Sequence, residues 1–256
     1  MDMIRTLAQE LGIKTGQAEA AVKLIDEGNT IPFIARYRKE VTGALNDEVL
    51  RNLYERLNYL RNLEEKKEQV IGSIEEQGKL TPELKKQILE AQTLVAVDDL
   101  YRPYRPKRRT RAIIAKERGL EPLANILSLQ QTAKTMEEEA KAYINIEKDV
   151  ETVEDALAGA MDIVAEAISD EAQYRQYIRD ITMKKGVLSS EAKDADEESV
   201  YEMYYGFSEP VAKLAGHRVL ALSRGEKEKL LTVKIEAPQE DIFHYLKKKI
   251  IRRDNP

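Results

Sequence analysis

The chain has 256 residues, 42 % hydrophobic and 34 % charged, with a net charge of −5 and no cysteine. This is a globular, helix-compatible composition. It excludes a disulfide scaffold, a thiolate metal site and a thiol nucleophile, and it fits a reducing, cytoplasmic setting. The N-terminus lacks the basic-then-apolar pattern of a signal peptide, and no apolar run approaches the roughly 18 residues of a membrane span, so no membrane partner is expected.

Met3, Ile4, Leu7, Ala8 and Leu11 recur at helical spacing and Gly12 stops the run. A second helix follows from a cap at Thr15, with Ala18, Ala21, Val22, Leu24 and Ile25 on one side and Gly28 at its end. Two helices joined by a short glycine-containing turn give a helix-turn-helix-like outline. The exposed side of the second would carry Gln17, Glu19, Lys23 and Glu27. With one cation it is a poor major-groove reader, which favours a structural role. Pro32 opens a short apolar turn that ends in Arg36, Tyr37, Arg38 and Lys39, either a small binding patch or a turn paired to Glu40 and Glu48. Asn46 and Asp47 then stand where an N-cap belongs.

From there to about Gln77, Leu50, Leu53, Leu57, Leu60, Ile71 and Ile74 follow a three-four alternation, broken at Glu64 and Lys67. The pattern predicts a long spine helix of roughly 45 Å, partly exposed in its middle. Thr81-Pro82 starts a further helix running to about Thr93. The stretch 101–111 follows, with Arg102, Arg105, Lys107, Arg108, Arg109 and Arg111 around Pro103, Pro106, Tyr101 and Tyr104. The prolines predict a stiff, non-helical strap before Thr110. Its guanidinium forks suit phosphates and its tyrosines suit bases. It could equally be a belt paired to the chain's own acids, because residues 101–118 carry eight basic and one acidic residue whereas 135–171 carry two basic and twelve acidic.

Thr110 can cap a helix ending at Gly119, Pro122 begins another, and Thr152-Val-Glu-Asp155 is a capping box before a long alanine-rich helix with a break near Asp170. Gly186 and the acidic run 191–198 read as a loop, and Tyr201, Tyr204 and Tyr205 as core-margin packing. Two β-rich runs around Gly225, within 217–236, read as a hairpin. Pro238 starts a last helix whose end carries Lys247, Lys248, Lys249, Arg252 and Arg253. The expected fold is mainly α: multi-helical, with a helix-turn-helix-like N-terminal part, a long spine helix and a small β-hairpin near the C-terminus. The expected parts are 1–78, 79–206 and 207–256, the last leading toward a domain beyond the chain, which reads as a piece of a longer protein.

Chemistry is sparse. His217 and His244 fall in different elements, the 12 glycines are single and placed like caps, and no Cys/His or phosphate-loop spacing occurs. Asp98-Asp99 is the pair a metal-dependent nuclease would need, yet adjacent acids are expected by chance among 46. No cofactor, metal or catalytic residue is assigned, and the chain is not expected to be an enzyme.

Three segments carry a resemblance: Asn29-Thr-Ile-Pro-Phe-Ile-Ala-Arg-Tyr-Arg-Lys-Glu-Val-Thr-Gly43, 99–111 with Gly119-Leu-Glu-Pro-Leu-Ala124, and His217-Arg-Val-Leu-Ala-Leu-Ser-Arg-Gly-Glu226. Together they resemble the N-terminal region of the Tex family, bacterial transcription accessory proteins related to a eukaryotic elongation factor. The resemblance implies a longer parent with an RNase H-like domain lacking a complete catalytic carboxylate set, helix-hairpin-helix repeats and an RNA-binding OB-fold. It implies RNA or DNA as partner, with transcription machinery as a further one. On that reading Arg36, Arg38, Lys39, Arg102, Arg105, Lys107, Arg108, Arg109 and Arg111 are the candidate nucleic-acid contacts. The alternative is a scaffold that docks onto transcription or translation proteins without touching nucleic acid.

Overall fold

The computed structural model describes residues 2–196 and 198–252; Glu197 of the acidic run and Arg253 of the terminal cluster lie outside the described residues. The chain divides into two compact units, Met1–Tyr104 and Arg105–Pro256.

The first unit is all helix: α1 (Met3–Leu11), α2 (Thr15–Asp26), α3 (Ile31–Tyr37), α4 (Lys39–Thr42), α5 (Asp47–Glu76), α6 (Pro82–Glu90) and α7 (Leu94–Tyr101). Their starts follow capping chemistry. Asn46 Oδ1 accepts from Val49 N at 2.8 Å, and Thr81 and Thr93 hydroxyls accept from Leu84 N and Ala96 N. The spine α5 spans 30 residues and serves two cores. Leu50, Leu53, Leu57 and Leu60 pack with Leu7, Ala18, Ala21 and Ile34 from α1–α3. Further along, Leu63, Val70 and Ile74 meet Ile88 and Val97 of α6 and α7. Each leucine removed from water in this way is worth about 1.5–3 kcal/mol, so the stripe on α5 dominates the unit.

The middle of the spine departs from expectation. Lys67 is 1 % exposed, and the buried stripe continues through it. Its stem packs like an aliphatic residue, while Nζ donates to Glu64 Oε1 and to the Leu89 carbonyl, both at 2.9 Å. Leu89 lies in the last turn of α6, where carbonyls have no helical partner, so a lysine from the neighbouring helix caps it. A charged residue in the stripe reads as exposure only while that partner is unknown.

The second unit opens with α8 (Arg111–Glu117), α9 (Glu121–Leu129), α10 (Met136–Ala140) and α11 (Val153–Asp170) around an alanine-rich core of Ala112, Ala115, Ala124, Ala140, Ala156 and Ala160. The Thr152 hydroxyl accepts from Asp155 N, and the Asp155 carboxylate returns to Thr152 N, each at 3.1 Å, which fixes where α11 starts. After a break at Glu171 comes α12 (Ala172–Lys185). Then follow β1 (Val187–Ala192), β2 (Phe207–Pro210), α13 (Gly216–Lys227), β3 (Leu231–Glu236) and α14 (Gln239–Ile250).

The mainly α class holds, and the small sheet near the C-terminus holds, but the hairpin over 217–236 does not. Its first run is the helix α13, not a strand. The sheet has three antiparallel strands in the order β2-β1-β3, with Val187 opposite both Pro210 and Glu236. The central strand β1 occupies the start of the expected acidic loop. Its two serines and a glutamate give little β signal, but Leu188 and Ser190 alternate inward, and Ser190 Oγ donates to the Tyr204 carbonyl at 2.6 Å. Gly225 is a packing position rather than a turn: a Cβ there would sit 2.6 Å from Leu231 Cδ1, so its bare backbone lets α13 lie on β3. Tyr201 and Tyr204 are buried against this sheet, as expected of core-margin rings.

Candidate nucleic-acid interface

Two basic segments were expected to meet nucleic acid, and the structure treats their cations differently. In α3, Pro32 occupies the first turn and Ile34 is fully buried against α5. The helix therefore turns Phe33 and Tyr37, one turn apart, to solvent at 36 % and 56 % exposure. Their ring centroids are 5.3 Å apart at 47°. The Arg38 guanidinium lies 5.1 Å from the Phe33 centroid and that of Arg36 lies 5.9 Å from the Tyr37 centroid. Lys39, also exposed, follows in α4. Gly43 then ends α4 at φ +63°, and the Gln17 side chain donates to its carbonyl at 2.9 Å. A Cβ on Gly43 would stand 2.8 Å from Gln17 Nε2, so glycine is needed for both reasons. Gln17, expected on the exposed face of α2, thus ties α2 to the end of the basic segment. Among the described residues no ion pair involves Arg36, Arg38 or Lys39, and the expected pairing with Glu40 or Glu48 is not made.

The strap is less extended at its start than expected. α7 runs to Tyr101, and Arg102–Tyr104 form one 3-10 turn, which the fixed φ of Pro103 accommodates. Tyr101 Oη and Ser73 Oγ are 2.9 Å apart, and Gln77 Nε2 donates to the Tyr104 carbonyl at 3.0 Å, so the turn is bound to α5. From Arg105 to Thr110 the chain is irregular. Arg102, Arg105 and Arg108 are exposed. Lys107 points inward, with Nζ bonded to Glu166 Oε1 and Asp170 Oδ2 of α11. The Thr110 hydroxyl donates to the other Glu166 oxygen at 2.9 Å and accepts from Ile113 N at the start of α8. Arg109 meets Glu117 at 3.1 Å in an exposed pair, and the exposed Arg111 meets the half-buried Asp162 at 3.3 Å. The acidic region that composition offered as an internal partner does take Lys107 and Arg111.

Burial disfavours charge at this cluster, and the hydrogen bonds overcome it. Desolvation would lower the Lys107 pKa, but its bonds to Asp170 and Glu166 hold it above the ordinary lysine range. Desolvation would likewise raise Glu166, yet the Lys107 and Thr110 bonds hold it below the ordinary glutamate range. The cluster is an ion pair at neutral pH and anchors the strap to α11.

Elsewhere the chemistry stays sparse. Asp98 pairs with Lys66 at 3.1 Å, and Asp99 is 5 % exposed. Among the described residues no three His, Cys, Asp or Glu side chains converge as a metal-ligand set, and no helix is long and apolar enough to cross a membrane. Two things here were not legible in the sequence. One is that Lys107 is the cation that turns inward, although the acidic 135–171 segment stood as an equal candidate partner for the strap. The other is the exposure of Phe33, for which the one signal was its placement one turn before Tyr37 and beside the buried Ile34.

Residues 1–75 match the Tex-like protein N-terminal domain family, and residues 131–254 match the Tex central region-like family. The chain is 48 % identical over 250 residues, 96 % of its length, to an uncharacterized protein YdcI of Bacillus subtilis, and covers 35 % of that protein. It is 43 % identical to the transcriptional accessory protein Tex of Neisseria gonorrhoeae, across 94 % of this chain and 32 % of the relative. A human S1 RNA-binding domain-containing protein 1 is 30 % identical across 91 % of the chain, which covers 24 % of it. The chain thus spans about a third or less of the length of these relatives. With both matched regions present in order, and these relatives aligned across more than nine-tenths of its length, the chain belongs to the Tex family, of which it carries the N-terminal and central regions.

Proposed function

We propose that this chain is the helical N-terminal part of a non-catalytic, cytoplasmic transcription accessory protein that binds nucleic acid, and that its exposed cations contribute phosphate contacts. The observation carrying this reading is the contrast between paired and unpaired cations. In a chain with net charge −5, Arg36, Arg38, Lys39, Arg105 and Arg108 are exposed and make no ion pair among the described residues, whereas Lys107, Arg109 and Arg111 do. Exposed arginine forks without a carboxylate are suited to phosphate oxygens. The names of the relatives support it: one is a transcriptional accessory protein and another an S1 RNA-binding domain-containing protein.

The test is salt dependence. Each phosphate contact on duplex DNA contributes about −0.9 to the slope of log K against log salt. Arg105→Gln with Arg108→Gln is expected to flatten that slope by about 1.8 on the same scale. Lys107→Gln is expected to weaken binding without flattening the slope, because its charge is already spent on α11. Equal slopes for the Arg105/Arg108 double variant and the parent would remove the strap as a phosphate contact.

A second reading is that the chain docks onto a protein of the transcription machinery. It is favoured by an apolar groove of about 530 Å³ lined by Ala165, Ile168, Tyr174, Ile178 and Leu246, with Arg175 and Arg179 at its edge. Nearby, Tyr177 and Tyr245 stack at 3.6 Å. It predicts that Ile178→Asp abolishes co-purification of a partner and leaves nucleic-acid binding intact.

A further inference from the structure

We propose that α3 is a stacking platform for unpaired bases, so that this chain takes single-stranded nucleic acid at Phe33 and Tyr37. The inference rests on the nucleic-acid reading above and narrows its ligand. Two rings on one face of a short helix are exposed where α3 could have turned them toward α5, which it fills with Ile34 instead. They lie 5.3 Å apart and tilted, leaving an aromatic surface on the outside of the unit.

What surrounds the rings decides the kind of ligand. In the same unit Arg5, Arg51, Arg56 and Arg61 each hold a carboxylate, on Asp2, Asp47, Glu10 and Asp26 respectively. Arg36 and Arg38 lie over Tyr37 and Phe33, and neither makes an ion pair among the described residues. Arg38 Nη1 donates to the Tyr37 carbonyl at 3.2 Å, which holds that guanidinium beside the rings; its other N–H groups and the Arg36 fork meet no carboxylate among the described residues. Lys39 adds a third cation, and Glu40 is the one acid in the segment 29–46. A polyanion whose flat rings lie beside its charges matches this arrangement: bases on Phe33 and Tyr37, phosphates at Arg36, Arg38 and Lys39. A duplex hides the faces of its bases and could use only the cations; a single strand uses both.

The experiment uses the 256-residue chain with short single-stranded RNA, single-stranded DNA of the same sequence, and blunt duplex, by fluorescence anisotropy across a salt series. Circular dichroism checks that each variant is folded. Phe33→Leu and Tyr37→Leu keep apolar bulk and remove the ring. Each is expected to lower single-strand affinity about 5- to 150-fold, to leave the salt slope unchanged and to spare the duplex. Arg36→Gln with Lys39→Gln is expected to flatten the single-strand slope by about 0.7 per cation. In the unmodified protein, 2-aminopurine placed in the strand should change its fluorescence on binding, a readout that needs no variant to fold. RNA against DNA arms show whether the sugar matters to the platform.

Ring variants that bind single strands as the parent does, or that lose duplex binding equally, overturn the platform. So does 2-aminopurine that reports no stacking, or poly-glutamate that displaces the strand as well as unlabelled strand does. If nucleic acid still binds through the strap cations, only the platform falls. If the chain binds none of the three ligands at low salt, the nucleic-acid reading falls with it.

Discussion

Lys67 and Lys107 show how much a single charged residue depends on its partners. Lys67 substitutes for a leucine in the α5 stripe because its ammonium can reach the Leu89 carbonyl and Glu64. Lys67→Ala removes the stem and both bonds together and should cost about 2–4 kcal/mol, read as a lower urea midpoint at unchanged m-value. Lys67→Met keeps the volume and should cost less. Lys107 gives a pH signature. The folded pKa of Glu166 is lowered, so its contribution is present above the ordinary glutamate value and is lost as pH falls through the depressed one. The folded pKa of Lys107 is raised, so its contribution is present below the ordinary lysine value and is lost as pH rises through the elevated one. Between those limits the cluster is pH-independent. A Lys107→Met variant should flatten the acid limb of a stability-against-pH curve at and below about pH 4, where an ordinary glutamate titrates. Charge alone does not distinguish Lys107 from Arg108 beside it; the contact with Glu166 and Asp170 does.

At the scale of elements, capping chemistry was the most legible signal. Asn46, Thr81, Thr110 and Thr152 all accept from the amide three residues on, and helices begin where those residues stand. Thr152→Ala should cost about 1 kcal/mol and fray the start of α11, measurable by denaturation and by faster amide exchange at Asp155. Reading α13 as a strand failed because Val219-Leu-Ala-Leu222 has β-compatible residues, and β propensity is a weak, context-dependent prior. What decides is Leu222 and Gly225, one helical turn apart and both buried. Gly225→Val should destabilise the sheet region by about 1–3 kcal/mol through collision with Leu231, seen as a loss of Tyr201 near-ultraviolet dichroism. The α7 helix was hidden by its short apolar run and by the basic strap behind it; a cap at Thr93 was its one clear signal.

At the scale of the molecule, the boundary between the two compact units falls inside the strap, between Tyr104 and Arg105. An irregular, arginine-rich segment is where a protease should first cut. Limited trypsinolysis should nick after Arg108 or Arg109 before any site in α5, because Pro106 blocks cleavage after Arg105, and bound nucleic acid should protect those sites if the strap contacts it. Composition, cap residues and the spacing of leucines determined by themselves that the chain is mainly helical, where most helices start, and that a 30-residue spine organises the first unit. They did so because caps and helical periodicity are local, set by residues three or four apart. The sequence also identified the two basic segments. Only the tertiary structure decided which cations are spent internally, that β1 is the central strand, and that Phe33 and Tyr37 face water beside arginines that hold no carboxylate among the described residues. Those outcomes depend on partners far away in sequence, such as Glu166 for Lys107, Leu89 for Lys67 and Leu231 for Gly225, and no local pattern records a distance between them.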